Sequence, residues 1–211
     1  MTNLGRDLIL AVLLLPALTA CGSSTPAALA PYQSATLEPG KGLGDLRIGS
    51  TTLTGTLARL GPGRVSVLAS DFYGFELVYA DGDLALLFLT GEQDECHRAA
   101  QQRSLPDLSQ DLAGLVAAAP ACAALTLHSV AVRGDFYQGR TSTGVGLGDG
   151  IITAATGAVS LDGGYALHAL SSGAPAFAHA AGPGIVYYGQ PPEGDKPEPA
   201  IEMIAVFPTR E

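Results

Sequence analysis

Four side chains that could bind a cation or transfer a proton lie in one short stretch: Glu92, Asp94, Glu95 and His97. Carboxylates spaced by one or two residues are typical ligands of hard cations such as Ca²⁺. The stretch lacks the acidic residues at alternate positions and the central glycine of an EF-hand loop. A solvated acidic turn is therefore the simpler interpretation, these four residues are weak candidates only, and we expect neither a resident metal nor a cofactor.

The sequence contains none of the common catalytic motifs. We find no Gly-x-Ser-x-Gly nucleophile elbow, no P-loop and no His-Glu-x-x-His. The other histidines, His128, His168 and His179, come from separate segments and follow no metal-ligand spacing. The glycine-rich stretch 144–150 lacks the βαβ frame of a dinucleotide site and favours turn and strand. We expect no catalytic residues, with a hydrolase as the least favoured function.

The N-terminal end has the pattern of an export signal. Arg6 precedes an apolar run over 8–20, which is shorter than the roughly 20 residues needed to span a bilayer core. The run has the length of a signal-peptide core. It ends in Cys-Gly-Ser-Ser-Thr-Pro, a polar, helix-breaking tract that a buried N-terminal helix would leave unexplained. The segment Leu18-Thr19-Ala20-Cys21 resembles the lipobox of bacterial lipoproteins.

That resemblance implies a location in the cell envelope. Residues 1–20 would be removed as a signal peptide, and Cys21 would be acylated and would anchor the chain in a membrane. Gly22 stands where an aspartate retains some lipoproteins at the inner membrane. The resemblance therefore favours the outer membrane, with the protein facing the periplasm or the cell surface.

The two remaining cysteines, Cys96 and Cys122, form an even pair in a compartment that permits disulfides. They enclose a loop of about 26 residues, whose closure stabilises a fold by roughly 3 kcal/mol in the chain-entropy model. Two unpaired thiols are the alternative. A zinc site is disfavoured because neither cysteine has a Cys-x-x-Cys partner.

Composition narrows the range of partners. The chain of 211 residues has a formal net charge of −9 and only 11 Lys and Arg. With so few basic residues, the chain lacks the positively charged surface of a nucleic-acid-binding protein. It also lacks a polybasic patch that would bind a membrane. Trp is absent, which disfavours a carbohydrate-stacking platform, and 27 glycines favour turns and short strands over long helices.

The pattern along the chain predicts an α+β fold of two related units, each a short helix packed on an antiparallel sheet. Residues 21–42, rich in small residues and proline, are expected to form a flexible tether. The first unit is placed at 43–138 and the second at 139–211. In the first unit the spacing of Leu53, Leu57 and Leu60 predicts a short helix, which Gly61 ends.

Strands are predicted in both units by alternation and by runs of apolar residues. An insertion at 90–123, stapled by the disulfide, interrupts the first unit and is expected to protrude from it. Within it, one helix is predicted from Asp107 as N-cap, through an apolar stripe, to Pro120. The predicted strands are 46–48, 65–68, 75–79, 84–89, 125–132, 165–170, 185–188 and 201–206.

The two units are predicted to repeat one another, and a chance match between glycine-rich segments is the alternative. The segment 144–149 resembles 44–49, and 201–206 resembles 127–132. The tripeptide Asp-Phe-Tyr occurs at 71–73 and again at 135–137. Its aromatic residues are either core anchors or a binding edge at two turn tips.

The segment Ile48-Gly49-Ser50-Thr51, followed by Leu60-Gly61-Pro62, resembles the SmpA/OmlA-type domain of small outer-membrane lipoproteins. A tandem of such units is similar to β-lactamase-inhibitor-like proteins. This resemblance implies an antiparallel sheet with a helix, and protein binding without catalysis. It assigns no functional residue, because the contacts of these families are not defined by a motif.

The sequence therefore predicts a non-enzymatic envelope lipoprotein that binds or assembles with another envelope protein. Its other expected partner is the membrane, through the lipid on Cys21, and no nucleic acid is expected. The alternative is a lipoprotein that binds a small ligand or a cation through the acidic loop 92–97.

Overall fold

The structure is a computed structural model, and it describes residues 26–67, 74–90, 94–152, 165–168, 177–189 and 198–209. Helices are α1 (Ala30–Gln33), α2 (Leu53–Leu60), α3 (Glu95–Gln101), α4 (Leu105–Gln110), α5 (Leu112–Ala118) and α6 (Pro120–Ala123). Strands are β1 (Leu37–Glu38), β2 (Gly42–Leu43), β3 (Leu46–Arg47), β4 (Arg64–Val67), β5 (Gly74–Tyr79), β6 (Leu84–Leu89), β7 (Leu127–Arg133), β8 (Tyr165–His168), β9 (Phe177–Gly182), β10 (Ile185–Gly189) and β11 (Ile201–Val206). Within these ranges, no helix has both the length and the hydrophobicity of a membrane span.

The strands form antiparallel sheets, as expected for the predicted α+β class. The small sheet has the order β1-β2-β3, and the large sheet has the order β4-β5-β6-β7-β11-β10-β9-β8. The large sheet thus consists of two meanders, β4 to β7 and β8 to β11, whose last strands pair with each other. Strands from both predicted units are joined in this one sheet.

The register of the central strands places short side chains opposite each other. In the β7–β11 pair, Ala131 lies opposite Ala205, with Val130 opposite Val206 and Val132 opposite Ile204. Each of these two strands also pairs with its hairpin partner. In β6–β7, Leu84 lies opposite Val132, and in β10–β11, Ile185 lies opposite Val206.

The large sheet has one buried face and one open face. Alternation along β6 buries Leu84, Leu86 and Phe88 completely, while the residues between them are partly exposed. The neighbouring strands continue the buried face with Val130, Val132, Ile185, Tyr187, Ile204 and Val206. We call the opposite side the open face, which is defined by Ala85, Leu87, Ala131, Val186, Tyr188, Met203 and Ala205.

Helices cover the buried face in the first half of the sheet. Helix α2 matches the predicted helix and is capped by Thr52, whose Oγ1 accepts a hydrogen bond from Gly55 N at 3.0 Å. The insertion contributes fully buried residues, including Leu108 and Leu115, to the same core cluster. The insertion is therefore part of the core and does not protrude from it.

The single helix predicted from Asp107 is wrong. The structure has two helices there, α4 and α5, because Asp111 ends the first and caps the second through its carboxylate and Gly114 N. Helix α4 begins earlier than predicted: Ser104 Oγ accepts from Asp107 N at 3.3 Å, so Asp107 lies in the first turn. Pro120 begins α6 and does not end a helix.

The tether predicted at 21–42 is wrong for residues 26–42, which are folded onto the body. Leu29, Tyr32 and Leu37 are buried. Leu37 N donates to Arg140 O at 3.1 Å, and Gly40 N donates to Gly184 O at 3.0 Å. The prolines and small residues indicated flexibility, but three large side chains supply enough buried apolar area to order the segment. Residues 21–25 lie outside the described residues.

Candidate functional site

The centre of the open face is a row of alanines that crosses three neighbouring strands. Ala85 lies opposite Ala131, and Ala131 lies opposite Ala205. With strands about 4.8 Å apart, this row forms a shallow strip roughly 10 Å wide. Val78 and Val186 continue the row at its two ends. Short side chains at the centre allow another surface to approach the sheet closely.

An open cavity of about 690 Å³ lies beside this strip, where β7 ends next to the start of β11. Its apolar floor includes Leu147, Tyr188 and Met203. Its polar lining includes Asp83, Arg133, Asp135 and Glu202. A floor of apolar side chains with a few converging polar groups is the usual character of a binding site.

Backbone geometry fixes the polar wall of this cavity. Arg133 Nε donates to Gly82 O at 2.8 Å, which holds the guanidinium against the turn between β5 and β6. Asp83 Oδ2 accepts from Phe136 N at 3.3 Å. Gly134, with φ of +62°, makes room for that carboxylate, because a Cβ at this position would collide with it. The turn and the end of β7 are therefore locked together.

Among the residues that the structure describes, the cavity lining carries more negative than positive charge. Asp135 and Glu202 are exposed, and Asp83 is partly exposed, whereas Arg133 is the positive group of the lining. Burial raises the pKa of the Tyr188 hydroxyl, which therefore stays neutral on this wall. The arrangement can accept an apolar group that carries a positive charge.

Glu202 occupies a β-bulge, and so does His128 at the matching point of β7. The β10–β11 register shifts between Tyr188 and Gly189, and the β6–β7 register shifts between Leu87 and Phe88. His128 lines a smaller hollow of about 320 Å³ together with Ile48 and Thr209. Burial lowers the pKa of His128, which favours its neutral form.

Three of the four predicted cation ligands are described by the structure, and they belong to helix α3 or to its N-cap. Asp94 caps the helix, and its Oδ1 accepts from Cys96 N at 2.7 Å. Glu95 is exposed in the first turn, whereas His97 is only 4% exposed. Glu92 and Cys21 lie outside the described residues.

The predicted disulfide between Cys96 and Cys122 is confirmed. It joins α3 to α6 with a Cα–Cα distance of 4.8 Å, and both cysteines are fully buried. The Asp-Phe-Tyr at 135–137 is a core anchor: Phe136 and Tyr137 are buried, and Tyr137 Oη donates to Ala35 O at 2.9 Å. The copy at 71–73 lies outside the described residues.

The remaining histidines lie on the second meander. His168 is in β8 and His179 is in β9, and the register places Ala166 opposite His179. Among the residues that the structure describes, no group of three or more His, Cys, Asp and Glu side chains could hold a metal ion.

Sequence reasoning missed the open face and its cavity. The signal was present in two short segments, Val130-Ala131-Val132 and Ile204-Ala205-Val206, where alanine alternates with branched apolar residues. Such alternation marks one packed face and one face with short side chains. The convergence of Arg133 with Glu202 depends on strand pairing and had no local signal.

Comparison with known proteins gives no match: no protein family, curated protein or solved structure matches this chain.

Proposed function

We propose that this chain is a non-enzymatic lipoprotein of the cell envelope that binds another protein on its open face. The proposal rests chiefly on one observation, the alanine row flanked by an acidic cavity with an apolar floor. Acylation of Cys21 would hold the protein in the membrane, and the outer membrane is the favoured location. No cofactor is needed for this function.

The finer architecture, two related units, is part of the proposal, and the strand registers support it. Leu84 opposite Val132 in the first meander corresponds to Ile185 opposite Val206 in the second. The bulges at His128 and Glu202 then also correspond. Ala131 opposite Ala205 would lie on an approximate two-fold axis normal to the sheet.

Backbone hydrogen bonds outside the sheet give independent support for the two units. Leu127 N donates to Thr51 O at 2.7 Å, and Ile201 N donates to Asp149 O at 2.8 Å. Two further bonds correspond in the same way: Leu53 N to Leu125 O at 2.8 Å, and Ile151 N to Pro199 O at 2.9 Å. Two hydrogen bonds of the first unit thus have counterparts in the second in the same relative order, which supports two related units over a chance similarity of glycine-rich segments.

A protein partner suits the open face better than a small ligand does. The face extends over several strands, and its apolar side chains are half-buried, so that a partner completes their burial. Protein interfaces commonly combine an apolar centre with a polar rim. The alanine row supplies the centre, and Asp135, Glu202 and Arg133 supply part of the rim.

The charges of the cavity specify the partner further. The chain carries a net charge of −9, and in the described part of the cavity lining three carboxylates face one guanidinium. A partner segment with a lysine or arginine beside apolar residues matches this surface. Its aliphatic stem would lie on Tyr188 and Met203, and its charge would lie near Glu202.

Zero-length crosslinking in cells tests this proposal, because a carbodiimide joins a carboxylate only to an amine in direct contact. We expect one crosslinked partner, identified by mass spectrometry, whose joined lysine is bound to Asp135 or Glu202. Glu202→Gln should reduce this product. Glu95→Gln is the matched control, because Glu95 is exposed on α3 within the helical layer. Equal loss in both variants, or a product that needs neither cavity carboxylate, would contradict the proposal.

The lipid anchor is tested separately by metabolic labelling with palmitate. We expect the label on the wild-type chain and its loss in Cys21→Ala. Unchanged label in Cys21→Ala would reject the anchor and leave the binding face to be judged by crosslinking.

The alternative function, a small ligand or cation bound by loop 92–97, makes a different prediction. A cation that binds only the native state raises its stability by mass action. Calcium should then raise the melting temperature, and Asp94→Asn should remove that rise. Under our proposal calcium leaves the melting temperature unchanged.

A further inference from the structure

Residues of the folded body lie close in sequence to the proposed lipid anchor. Leu29 N donates to Pro26 O at 2.8 Å, and Tyr32 N donates to Leu29 O at 2.9 Å, so Pro26 is already part of the folded body. Leu29 and Tyr32 are buried, with exposures of 3% and 4%. Tyr32 Oη also donates to Asp45 Oδ1 at 2.9 Å, which fixes the segment to the body.

The chain between Cys21 and Pro26 is short whatever its conformation. A fully extended chain advances at most about 3.6 Å per residue, so these two Cα atoms lie within about 18 Å of each other. This reach is shorter than the diameter of a globular domain of about 190 residues, which is roughly 40 Å by the usual scaling of the radius of gyration with chain length, so the far side of the protein cannot turn to the membrane. The anchor therefore constrains which side of the protein meets the membrane.

We infer that the surface around Pro26 rests against the headgroups of the lipid bilayer. This inference depends on the proposed acylation of Cys21. We call this surface the N-terminal patch, and it consists of the exposed residues Pro26, Ala27, Ala28, Ala30 and Pro31, with Pro62, Arg64 and Asp81 beside them.

The composition of the N-terminal patch suits that position. Residues 26–31 carry no charge. Pro26 lines a hollow of about 350 Å³, and the charged residues in the described part of its lining are Arg64 and Asp81, whose charges offset each other. The whole chain is strongly acidic, so a neutral patch is repelled less by an anionic lipid surface than the acidic surface elsewhere.

Single tryptophans can report the orientation, because the natural chain has none. Ala28→Trp places the probe on the N-terminal patch. Ser50→Trp is the matched control: Ser50 is exposed and precedes α2, whereas Leu60 at the other end of that helix lines the hollow with Pro26. A helix of this length separates the two ends by about 12 Å.

The experiment uses the full acylated chain in vesicles of phosphatidylethanolamine and phosphatidylglycerol that contain a spin-labelled headgroup lipid. We expect a larger loss of fluorescence for Ala28→Trp than for Ser50→Trp. Ten Gly and Ser residues inserted between Thr25 and Pro26 should abolish that difference. Equal quenching of the two probes without the insertion, or a difference that survives it, would overturn the inference.

Mass spectrometry of the purified chain separates this failure from that of the anchor. A chain without acyl groups on Cys21 would overturn both the anchor and the orientation. An acylated chain with equal quenching would overturn only the orientation.

Discussion

Ala131 of β7 lies directly opposite Ala205 of β11, at the junction of the two meanders. The adjacent core-facing residues, Val130 and Val132, are fully buried. The side chains on the two faces of this strand therefore differ in both size and exposure. The junction is thus tightly packed on one side and shallow on the other. That asymmetry underlies the proposed binding face.

Two adjacent leucines in β6 allow the burial of the two faces to be compared through the effect of each side chain on stability. Leu86 is fully buried, whereas Leu87 belongs to the open face. We expect Leu86→Ala to lower the free energy of unfolding by about 2–5 kcal/mol, because it leaves a cavity in the core. Leu87→Ala should lower it by less than about 1 kcal/mol. Urea titrations of both variants check this, and equal losses would contradict the assignment of faces.

Two glycines with a left-handed backbone conformation test the close contact between Gly134 and the Asp83 carboxylate beside the cavity. Gly134 and Gly144 have φ of +62° and +86°, so alanine at either position costs roughly 1–2 kcal/mol. At Gly134 a Cβ also meets the Asp83 carboxylate, whereas Gly144 has open space around it. We expect Gly134→Ala to be clearly more destabilising in thermal unfolding. A smaller or equal loss would show that the Asp83 contact is not tight.

Reduction of the disulfide should loosen the insertion first. The bridge closes a loop with a sequence separation of 26, which corresponds to roughly 3 kcal/mol in the chain-entropy model. Hydrogen exchange should therefore rise first in α3 and α6, while β6 and β7 stay protected. Simultaneous loss of protection in helices and sheet, or two free thiols in the purified native protein, would contradict this prediction.

Two buried tyrosines should respond differently to loss of the hydroxyl. Tyr137→Phe removes the hydrogen bond to Ala35 O and should cost about 0.5–1.5 kcal/mol at neutral pH. Tyr187 is fully buried, and its hydroxyl lies near Thr141 and Thr143 but makes no well-formed hydrogen bond to any residue that the structure describes. Tyr187→Phe should therefore be neutral or stabilising. A loss in Tyr187→Phe as large as that in Tyr137→Phe would contradict this difference.

The pKa of Tyr137 also predicts how the free energy of unfolding changes at alkaline pH. Burial raises its pKa to about 12 from the ordinary value of 10.0. Between these values the unfolded chain has released the proton and the folded chain has kept it. The stabilisation is thus complete below pH 10 and falls as pH rises, by about 1.4 kcal/mol per unit. Denaturant titrations over this range should show a shallower fall in Tyr137→Phe, and an unchanged slope would reject the assignment.

Local patterns were sufficient for part of the fold. β6 and β11 have the predicted limits, because apolar alternation in 84–89 and 201–206 coincides with burial. Helix α2 was likewise predicted from its leucine spacing and its glycine stop. These elements needed no knowledge of their partners.

Other elements depend on tertiary contacts that the sequence does not reveal. β9 is not among the predicted strands, because Phe-Ala-His-Ala-Ala-Gly contains few residues that favour strands. Its pairing with β8 and β10 determines its conformation instead. The folded segment 26–42 and the cavity wall at Asp83 and Gly134 arise in the same way, from contacts between distant parts of the chain.

Site-specific photo-crosslinking tests the central claim, that the open face binds another protein. A photoreactive amino acid replaces Ala205 at the centre of the open face, and the control replaces Ala118, an exposed alanine at the end of α5 in the helical layer. We predict that the Ala205 probe yields one dominant protein adduct in cells, that Glu202→Lys weakens it, and that the Ala118 probe does not yield it. The same adduct from both probes, or an Ala205 adduct that Glu202→Lys leaves unchanged, would contradict the account.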